Sequence, residues 1–345
     1  MKMNSLERLQ HRLCGEAVDR PPNLDIVMTF GAHHIGKPLS PYYLDYRVLV
    51  DANLSVAEDF NLDIVQAISD PFREAADFGL EVEFPADNLP LNRKPLLAAP
   101  EDIKKLVAPD PVTGPRMSDR VDAVRLFREK VGGEIPIMGW VEGALAEAAD
   151  LRSVYLTMTD LVRRADWLEE LLEICVNVEI AFARLQVQAG ADIIGLGDAV
   201  ASQISPAMYR RFALPYEKRI FAAVHEMGAL ARLHICGNTN RIIADMVASG
   251  ADIIDLDWMV DMKSAAERFG DRVSFLGNMD PVAVMLQGTV KNVFDATTYC
   301  MSIGGPRAIS GAGCEIPDGT PEENLHTQTR ALQNAGDGIN ASYGA

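Results

Sequence analysis

Eight short apolar runs recur along this chain, and longer amphipathic stretches separate them. Most runs are nearly continuous in Val, Ile, Leu and Ala, as in strands that are buried on both faces of a parallel sheet. No glycine-rich dinucleotide loop follows the first run, so the alternation favours a (β/α)8 TIM barrel over a doubly wound sheet. The predicted strands are PNLDIVMTF (22–30), FNLDIVQAI (60–68), PIMGWVEG (136–143), ADIIGLGDA (191–199), ALARLHIC (229–236), ADIIDLDW (251–258), VSFLGNMD (273–280) and PRAISG (306–311).

The length of the chain is compatible with one large domain. Its 345 residues would suggest about two domains if roughly 150 residues formed each, but α/β barrels often exceed that size as one domain. No Ser/Gly-rich linker divides the chain. We therefore predict a single barrel domain over residues 1–345, with an N-terminal helical extension. The segment 75–135, rich in Pro, Asp and Glu, is predicted to be an insertion after the second strand.

The charge balance is strongly acidic, with 49 Asp and Glu against 32 Lys and Arg and a formal net charge of -17. Such a surface repels phosphate backbones and no basic stripe offsets it, so we expect no nucleic-acid partner. No stretch approaches the roughly 18 apolar residues that span a bilayer, and the polar start has no apolar signal core. We therefore expect a cytoplasmic protein with no membrane partner.

The five cysteines are odd in number and scattered, unlike the dense, even pattern of a disulfide-stabilised secreted domain. Each is therefore expected to be buried filler, a nucleophile or a metal ligand. Cys14, Cys175 and Cys300 lie in helical patterns and are predicted to be filler. Cys236 and Cys314 lie near predicted strand ends, where barrel enzymes carry their active sites.

His234 and Cys236 form an H-x-C pair at the end of the fifth predicted strand. Residues i and i+2 of a strand point to the same face, so an imidazole and a thiolate there can bind one ion. Cys314 follows the last predicted strand, in a Gly-Ala-Gly-Cys loop that is expected to bend freely over the mouth. A buried Cys is usually a small hydrophobe. One His and two Cys at the active face, with one coordination position open, are instead typical of a catalytic zinc site.

Further polar residues are predicted to lie at the same mouth. Asp257 ends the sixth predicted strand. Three roles are open for it: a fourth metal ligand, a hydrogen-bond partner of a metal ligand, or a cap of the following turn. Four carboxylates would orient a substrate or move its proton, or would be ordinary hydrogen-bonding residues at the mouth: Asp70, Glu142, Asp198 and Asp280.

Three segments have a recognisable pattern: ERLQHRLCGEAVDRPP (7–22), GNMDP (277–281) and GCEIPDGTPEENL (313–325). They resemble the uroporphyrinogen decarboxylase superfamily, and within it the zinc-dependent, corrinoid-linked methyltransferases of the methylcobamide:coenzyme M type. The triplet His234, Cys236 and Cys314 resembles the H-x-C…C zinc signature of that branch. The decarboxylase branch fits less well. Its Arg-rich segment after the first strand is replaced by VMTFGAHHIG (27–36), although Asp70 in AISDPF resembles its catalytic Asp.

The resemblance implies the barrel fold and an enzyme that moves a methyl group between a protein-bound corrinoid and a small acceptor, typically a thiol. It implies Zn²⁺ as the metal and a corrinoid of the methylcobalamin type as co-substrate. The corrinoid would arrive on a partner protein, because the chain has no D-x-H-x-x-G run. The candidate corrinoid contacts are His33, His34 and Asn278. The alternative for the two histidines is that they are exposed in a loop without a functional role. Barrels of this superfamily are often dimers, so a homodimer is an expected assembly.

Several alternatives stay open from the sequence. The same zinc site would also serve transfer from a small methyl donor to the corrinoid. A second alternative is a decarboxylase of the same fold. A third is a corrinoid- or tetrapyrrole-binding protein without enzymatic activity. Among acceptors, coenzyme M, homocysteine, another thiol and a pterin are all small enough.

Overall fold

The computed structural model describes residues 2–342, with side chains described as far as residue 335. The described strands are β1 (Val65–Gln66), β2 (Val82–Glu83), β3 (Leu91–Asn92), β4 (Ile137–Glu142), β5 (Ile193–Gly197), β6 (Leu230–His234), β7 (Ile253–Leu256) and β8 (Ser274–Gly277). Six of them form a curled parallel sheet in the order β1-β4-β5-β6-β7-β8, and β2 and β3 form a separate antiparallel hairpin. The predicted α/β fold with a parallel sheet is therefore confirmed.

Helices alternate with these strands. They are α1 (Ser5–Leu13), α2 (Thr29–His34), α3 (Leu39–Leu44), α4 (Tyr46–Phe60), α5 (Arg73–Asp77), α6 (Pro115–Val131), α7 (Ala144–Arg152), α8 (Val154–Arg163), α9 (Ala165–Ala189), α10 (Pro206–Phe212), α11 (Leu214–Glu226), α12 (Ile243–Val247), α13 (Met262–Phe269), α14 (Val290–Ile303) and α15 (Glu322–Ser342). Short 3₁₀ turns cover Pro100–Lys105 and Ala199–Gln203, and a π-helical turn covers Pro281–Leu286. Within residues 2–342, none of the helices combines the length and the apolar character that a membrane span requires.

The N-terminal helix α1 is fixed at its start by a capping box. The Asn4 side chain accepts the N–H of Glu7 at 2.8 Å, and the Glu7 carboxylate accepts the N–H of Asn4 at 3.0 Å. These bonds satisfy two of the N–H groups that a helix start leaves without partners. The predicted N-terminal helix is therefore confirmed.

The sheet divides the core into two parts. A large cluster of apolar side chains lies between the strands and helices such as α4, α6, α9 and α11. A smaller cluster lies on the opposite face of the strands. Its members are Leu9, Leu24, Ile26, Ile64, Ile68, Met138, Trp140, Ile193, Ile253, Leu276 and Ile309. Because side chains alternate along a strand, every second residue of the parallel strands joins this inner face.

The first and last predicted strands are present only as single bridges. Asn23 pairs with Ser310 and Leu276 with Ile309, both in parallel. The N–H of Asp63 also donates to the carbonyl of Asn23 at 2.8 Å. The segments 22–30 and 306–311 are thus attached to the edges of the sheet without forming ladders. Prolines at 22 and 306 lack the N–H that a ladder needs.

The predicted insertion 75–135 is too long at its C-terminal end. The hairpin β2–β3 and the 3₁₀ turn do lie between β1 and β4. Helix α6, however, packs against β4, α4 and α9 and so belongs to the layer of helices on the sheet. The sequence of α6 is rich in charged residues, but one side of the helix is apolar and buried. This side is formed by Met117, Val121, Val124 and Phe127. These residues recur at helical spacing and bury one face.

Buried carboxyl groups gather between β4 and helices α5, α7 and α9. Glu74, Glu147 and Glu179 are fully buried, and Glu142 at the end of β4 is nearly so. Both carboxyl oxygens of Glu147 and of Glu179 lack a hydrogen-bond donor among the described residues. Burial and then the neighbouring Glu74 raise the pKa values of Glu147 and Glu179 well above their usual range. These groups are therefore held in the neutral, protonated form.

We expect Glu179→Gln to stabilise the protein in a pH-dependent way. The unfolded chain releases this proton above about pH 4.3 whereas the folded protein keeps it, so folding loses stability as the pH rises. The amide removes this titration and has nearly the size of the protonated carboxyl group. The free energy of unfolding should exceed that of the parent at pH 8, by about 1.4 kcal/mol for each unit by which the pKa is raised. Chemical denaturation at several pH values measures this.

The difference between Glu179→Gln and the parent should shrink towards zero near pH 4, where both states are protonated. Glu170→Gln, at an exposed position of the same helix, is the control and should change stability little at any pH. A stability difference that is the same at pH 4 and pH 8 would contradict the raised pKa.

Candidate metal centre

Three adjacent strands bring polar side chains to one edge of the sheet. Glu142 at the end of β4 pairs in register with Gly197 of β5, and Gly197 pairs with His234 at the end of β6. Cys236 lies two residues beyond His234 in the direction of the strand. The carboxyl ends of parallel strands share one edge of a sheet, where barrel enzymes carry their active sites. Glu142, His234 and Cys236 all line one pocket at this edge.

Cys314 reaches the same pocket from the loop after the last bridged segment. The N–H of Gly313 donates to Met279 at 2.8 Å, and the N–H of Ala312 donates to the carboxylate of Asp25 at 2.7 Å. A Cβ on Gly313 would lie 2.5 Å from the backbone nitrogen of Trp258, so only glycine permits this close approach. The loop is therefore held in place by hydrogen bonds and packing, whereas the sequence led us to expect a freely bending one.

The three predicted metal ligands form a compact triangle. The His234 Nε2 lies 3.0 Å from the Cys236 Sγ and 3.8 Å from the Cys314 Sγ, and the two sulfurs are 3.6 Å apart. All three donor atoms lie within 4.8 Å of one another. The sulfurs are too far apart for a disulfide, whose S–S bond is about 2.05 Å.

Two of these distances lie within about 0.3 Å of the edges of a tetrahedral zinc site, and the third, 3.0 Å between the His234 Nε2 and the Cys236 Sγ, is about 0.5 Å shorter. With Zn–S bonds of about 2.3 Å and Zn–N bonds of about 2.0 Å, two sulfurs lie about 3.8 Å apart and a nitrogen and a sulfur about 3.5 Å apart. One imidazole and two thiolates leave the fourth position open, as in catalytic rather than structural zinc sites. The residues present therefore fit a zinc ion with an exchangeable fourth ligand.

Asp255, which the sequence analysis missed, orients His234. Its carboxylate accepts a hydrogen bond from the His234 Nδ1 at 2.8 Å, which leaves Nε2 free for a metal. Arg232 donates from its Nε to both carboxylate oxygens of Asp255, at 2.9 and 3.1 Å. Asp255 and His234 are paired in register between β7 and β6. The sequence contained a signal for this role, because Asp255 is an acidic residue inside an otherwise apolar run, two positions before Asp257.

The pKa values of Cys236, Cys314 and His234 depend on one another, because the three side chains are in contact. The hydrogen bond from Cys236 lowers the pKa of Cys314 to about 4, while the same bond and then burial raise the pKa of Cys236. Burial lowers the pKa of His234, but the charge of Cys236 and the hydrogen bond to Asp255 outweigh it and raise that pKa well above its usual value. The triangle thus favours one thiolate beside a protonated imidazole, and a metal ion would replace the shared protons.

The pocket above this triangle has about 600 Å³ of empty space, a volume that includes open solvent at its mouth. Its wall is mostly apolar. The lining residues are Ile26, Met28, Ile68, Ser69, Asp70, Pro71, Trp140, Glu142, Gly197, Ala199, His234, Cys236, Cys314 and Glu315. Two of the predicted carboxylates, Asp70 and Glu142, are therefore placed beside the candidate metal ligands.

Asp70 and Glu142 differ in their surroundings. Asp70 accepts hydrogen bonds from Arg116 at 2.6 Å and from Ser69 at 2.8 Å. Burial raises the pKa of Asp70, but the arginine charges, Arg116 first, outweigh it and lower that pKa. Burial and then the charge of Glu74 raise the pKa of Glu142 well above its usual range. The pocket thus pairs an ionised carboxylate with one that tends to stay protonated.

The remaining predicted carboxylates lie outside the pocket lining. Asp257 accepts from the N–H groups of Gly237 at 2.8 Å and Met259 at 3.0 Å, in the turn-capping arrangement, and it is not part of the metal-ligand triangle. Asp280 caps the following π-helical turn. Asp198 is fully buried, and burial raises its pKa to about 7. Its carboxyl carbon would lie 2.7 Å from a Cβ on Gly143, which precedes α7.

The candidate corrinoid contacts also lie outside the lining residues. Asn278 donates to the carbonyls of Asp257 at 3.1 Å and Val260 at 2.8 Å. His33 and His34 lie in helix α2, because the chain is helical from Thr29 onward and the predicted first strand is too long. His33 makes ion-pair contacts with Asp87 at 2.7 Å and Asp318 at 2.8 Å. His34 makes them with Asp59 at 2.8 Å and Glu322 at 3.2 Å.

The remaining three cysteines are separate from the triangle. Cys175 and Cys300 are buried in helices, and Cys14 is exposed after α1. No described cysteine forms a disulfide. This arrangement agrees with the division of the five cysteines that the sequence predicts.

Comparison with known proteins relates the whole chain to one family. The family model for uroporphyrinogen decarboxylase (URO-D) matches residues 4–335. The methylcobamide:CoM methyltransferase MtbA of Methanosarcina acetivorans is 29% identical over 337 residues, covering 95% of this chain and 97% of the relative. MtbA of Methanosarcina mazei is 34% identical over 236 residues, covering 68% of each. A solved methyltransferase structure from Methanosarcina mazei superposes with a TM-score of 0.88 at 26% identity, covering 97% of this chain and 99% of that chain.

We expect Cys314→Ala to abolish zinc binding. Removing one sulfur leaves two protein donors, fewer than a catalytic zinc site requires. The parent should retain about one zinc per chain after dialysis and the variant close to none, as measured by mass spectrometry of the metal. Cys14→Ala, at the exposed cysteine after α1, is the matched control and should keep its zinc. A Cys314→Ala protein with full zinc content would remove Cys314 from the ligand set.

Proposed function

The chain belongs to the uroporphyrinogen decarboxylase family, and within that family we propose that it is a methyltransferase. In this proposal a methyl group passes from a protein-bound corrinoid to a small thiol, and zinc is held by His234, Cys236 and Cys314. The cobalt–carbon bond breaks, a sulfur–carbon bond forms, and the thiol loses its proton.

The observation that carries the proposal is the ligand triangle beneath the pocket. Its edges of 3.0, 3.6 and 3.8 Å fit a three-ligand zinc site with one position open to a substrate. The same chain is 29% identical, over 95% of its length, to a protein named methylcobamide:CoM methyltransferase. Both observations support methyl transfer with a thiol as the acceptor.

The protein residues would hold and orient this centre. Bound zinc would lower the pKa of a coordinated thiol and so keep it as a nucleophilic thiolate. Asp255 fixes the proton of His234 on Nδ1, so that Nε2 carries the free lone pair. Asp257 holds the N–H of Gly237, the residue after Cys236, and thus acts as a positioning residue for that ligand.

Glu142 is the residue that we assign to proton transfer. Trp140 donates from its indole Nε1 to the Glu142 Oε1 at 2.9 Å, while Oε2 lies 3.2 Å from the place of a Cβ on Gly197 in the pocket wall. In its ionised form a carboxylate of raised pKa is a stronger base, so the Oε2 of ionised Glu142 would take the proton of the entering thiol. Asp70, held by Arg116, would stay ionised and orient the substrate.

The corrinoid would be delivered by a partner protein. Trp258 is half exposed, at 50%, and Met259 is 40% exposed. The backbone of Trp258 packs against Gly313, one residue before Cys314, so this exposed apolar pair lies beside the candidate metal site. Large aromatic and Met side chains are enriched where proteins bind one another. We propose Trp258 and Met259 as part of the docking surface for the corrinoid protein.

For the fold we propose the complete (β/α)8 barrel as one domain. The bridges of Asn23 with Ser310 and of Leu276 with Ile309 support it, because they lie where the two further strands would close the ring. A homodimer is proposed by analogy with the superfamily alone.

Decarboxylation of a porphyrinogen is less well supported. Such a substrate carries many carboxylates, and none of the residues lining the pocket is Lys or Arg. The arginine nearest to the pocket carboxylate, Arg116, is already paired with Asp70. An anionic tetrapyrrole would therefore lose its hydration without gaining a countercharge.

The proposed activity is tested by incubating zinc-loaded protein with methylcobalamin and a small thiol. We expect the corrinoid spectrum to change from the methylated to the demethylated form, at a rate proportional to enzyme. The Cys314→Ala variant should be inactive and Cys14→Ala should match the parent. Full activity in zinc-free protein, or none with any thiol, would end the proposal.

The docking surface is tested with Trp258→Ala. We expect the KM for a methylated corrinoid protein to rise about tenfold, as for the loss of one central aromatic contact. Turnover of free methylcobalamin should change much less. Tyr155→Ala, at an aromatic residue of α8 that is 79% exposed, is the matched control and should leave that KM unchanged. An equal effect of both variants would argue against a specific surface at Trp258.

A further inference from the structure

The lining of the pocket beside the metal-ligand triangle contains acidic groups and, apart from the candidate metal ligand His234, no basic ones. Asp70, Glu142 and Glu315 are the carboxyl residues in its lining, and no lining residue is Lys or Arg. Most of the exposed wall is apolar, with Ile26 and Met28 among the side chains. A ligand that fills this space would therefore meet hydrogen-bond acceptors and apolar surface.

The arginines behind the pocket already bind carboxylates or carbonyls of the protein. Arg116 binds Asp70 at 2.6 Å, and its Nε is buried without a hydrogen-bond partner among the described residues, so it does not reach the pocket lining. Arg73 is fully buried and binds Asp119 at 2.7 Å. Arg120 is fully buried and directs its guanidinium to the carbonyl of Trp140 at 3.1 Å and towards Glu74 at 3.9 Å. None of the three lines the pocket, so none is available to an anionic ligand.

Resting on the proposed function, we infer that the methyl acceptor is a thiol whose tail carries no anionic group. A sulfonate or carboxylate on the tail would give up water in an apolar wall that offers no positive partner. It would also be repelled by the ionised Asp70 carboxylate. A hydroxyl head would instead find the Oε2 of Glu142, which has no hydrogen-bond partner among the described residues, and a cationic head would find the ionised Asp70 carboxylate. The inference sets this chain apart from relatives whose name includes CoM, because coenzyme M is a thiol that carries a sulfonate.

The charge of the tail can be varied while the thiol end is kept constant. 2-Mercaptoethanesulfonate, 2-mercaptoethanol and thiocholine share the HS–CH₂–CH₂ unit and end in an anion, a neutral group and a cation. Binding is followed by the thiolate-to-metal absorption of Co²⁺-substituted protein, and turnover by demethylation of methylcobalamin. We expect the sulfonate to bind at least about tenfold more weakly than mercaptoethanol, or about 1.4 kcal/mol.

A reciprocal variant tests the missing positive charge directly. Met28 lines the pocket and is only partly buried, so a longer polar side chain can be accommodated there. We expect Met28→Lys to improve binding of the sulfonate relative to mercaptoethanol by about tenfold. Met28→Gln, of similar length without charge, is the matched control and should leave that ratio unchanged. Thermal denaturation of both variants checks that the fold is kept.

The outcomes separate this inference from the proposed function. If methyl transfer proceeds and the sulfonate is bound as tightly as mercaptoethanol or more tightly, the inference is wrong and the proposed function stands. If the neutral and cationic thiols bind best but no thiol demethylates methylcobalamin, the inference about the pocket stands and the proposed function fails. Unchanged sulfonate binding in Met28→Lys would also overturn the inference.

Discussion

The alternation of side chains between the two faces of a strand is the constraint on which the site depends. Each parallel strand sends every second residue to the inner face, so the apolar residues of that face are followed by polar ones at the carboxyl ends. Register then determines the neighbours: Glu142 pairs with Gly197, Gly197 with His234, and His234 with Asp255. The ladder hydrogen bonds fix this register, so Glu142, His234 and Asp255 are placed by the sheet itself. Cys236, two residues beyond β6, and Cys314, in the loop after the last bridged segment, come from outside the ladders.

The candidate metal ligands could be named from the sequence because an H-x-C pair near a strand end needs only the period of two, and because Cys314 follows the last predicted strand in a segment that resembles the family. The glycines before Cys314 were expected to let the loop bend freely, whereas Gly313 permits a close approach to Trp258. Asp255 was missed because its partner is on another strand, and pairing between strands cannot be read from one apolar run. The histidines of α2 were misplaced for a related reason. The run 22–30 is apolar enough for a strand, yet its last two residues begin a helix that pairs His33 and His34 with distant carboxylates.

The acidic composition has a different meaning inside the protein than on its surface. The formal charge of -17 counts every carboxyl as ionised. Within the described structure, Asp255 and Asp70 are ionised because an arginine binds each of them. Glu147 and Glu179 have no such partner, and burial keeps their pKa values high. A buried charge without a partner is costly, so such groups keep their protons. The folded protein therefore carries less negative charge than the composition indicates.

Trp140 connects the packing of the inner face to the chemistry of the pocket. Its indole lies over Gly195 and Gly197, where an added Cβ would approach ring atoms to 2.4 and 2.7 Å. The two glycines thus leave the space that the ring occupies, and the ring in turn holds one oxygen of Glu142 through its N–H. A side chain at Gly197 would displace the indole and the carboxyl group together. The apolar wall of the pocket and the orientation of the Glu142 carboxyl group therefore have the same origin, the absence of side chains on β5 opposite a large one on β4.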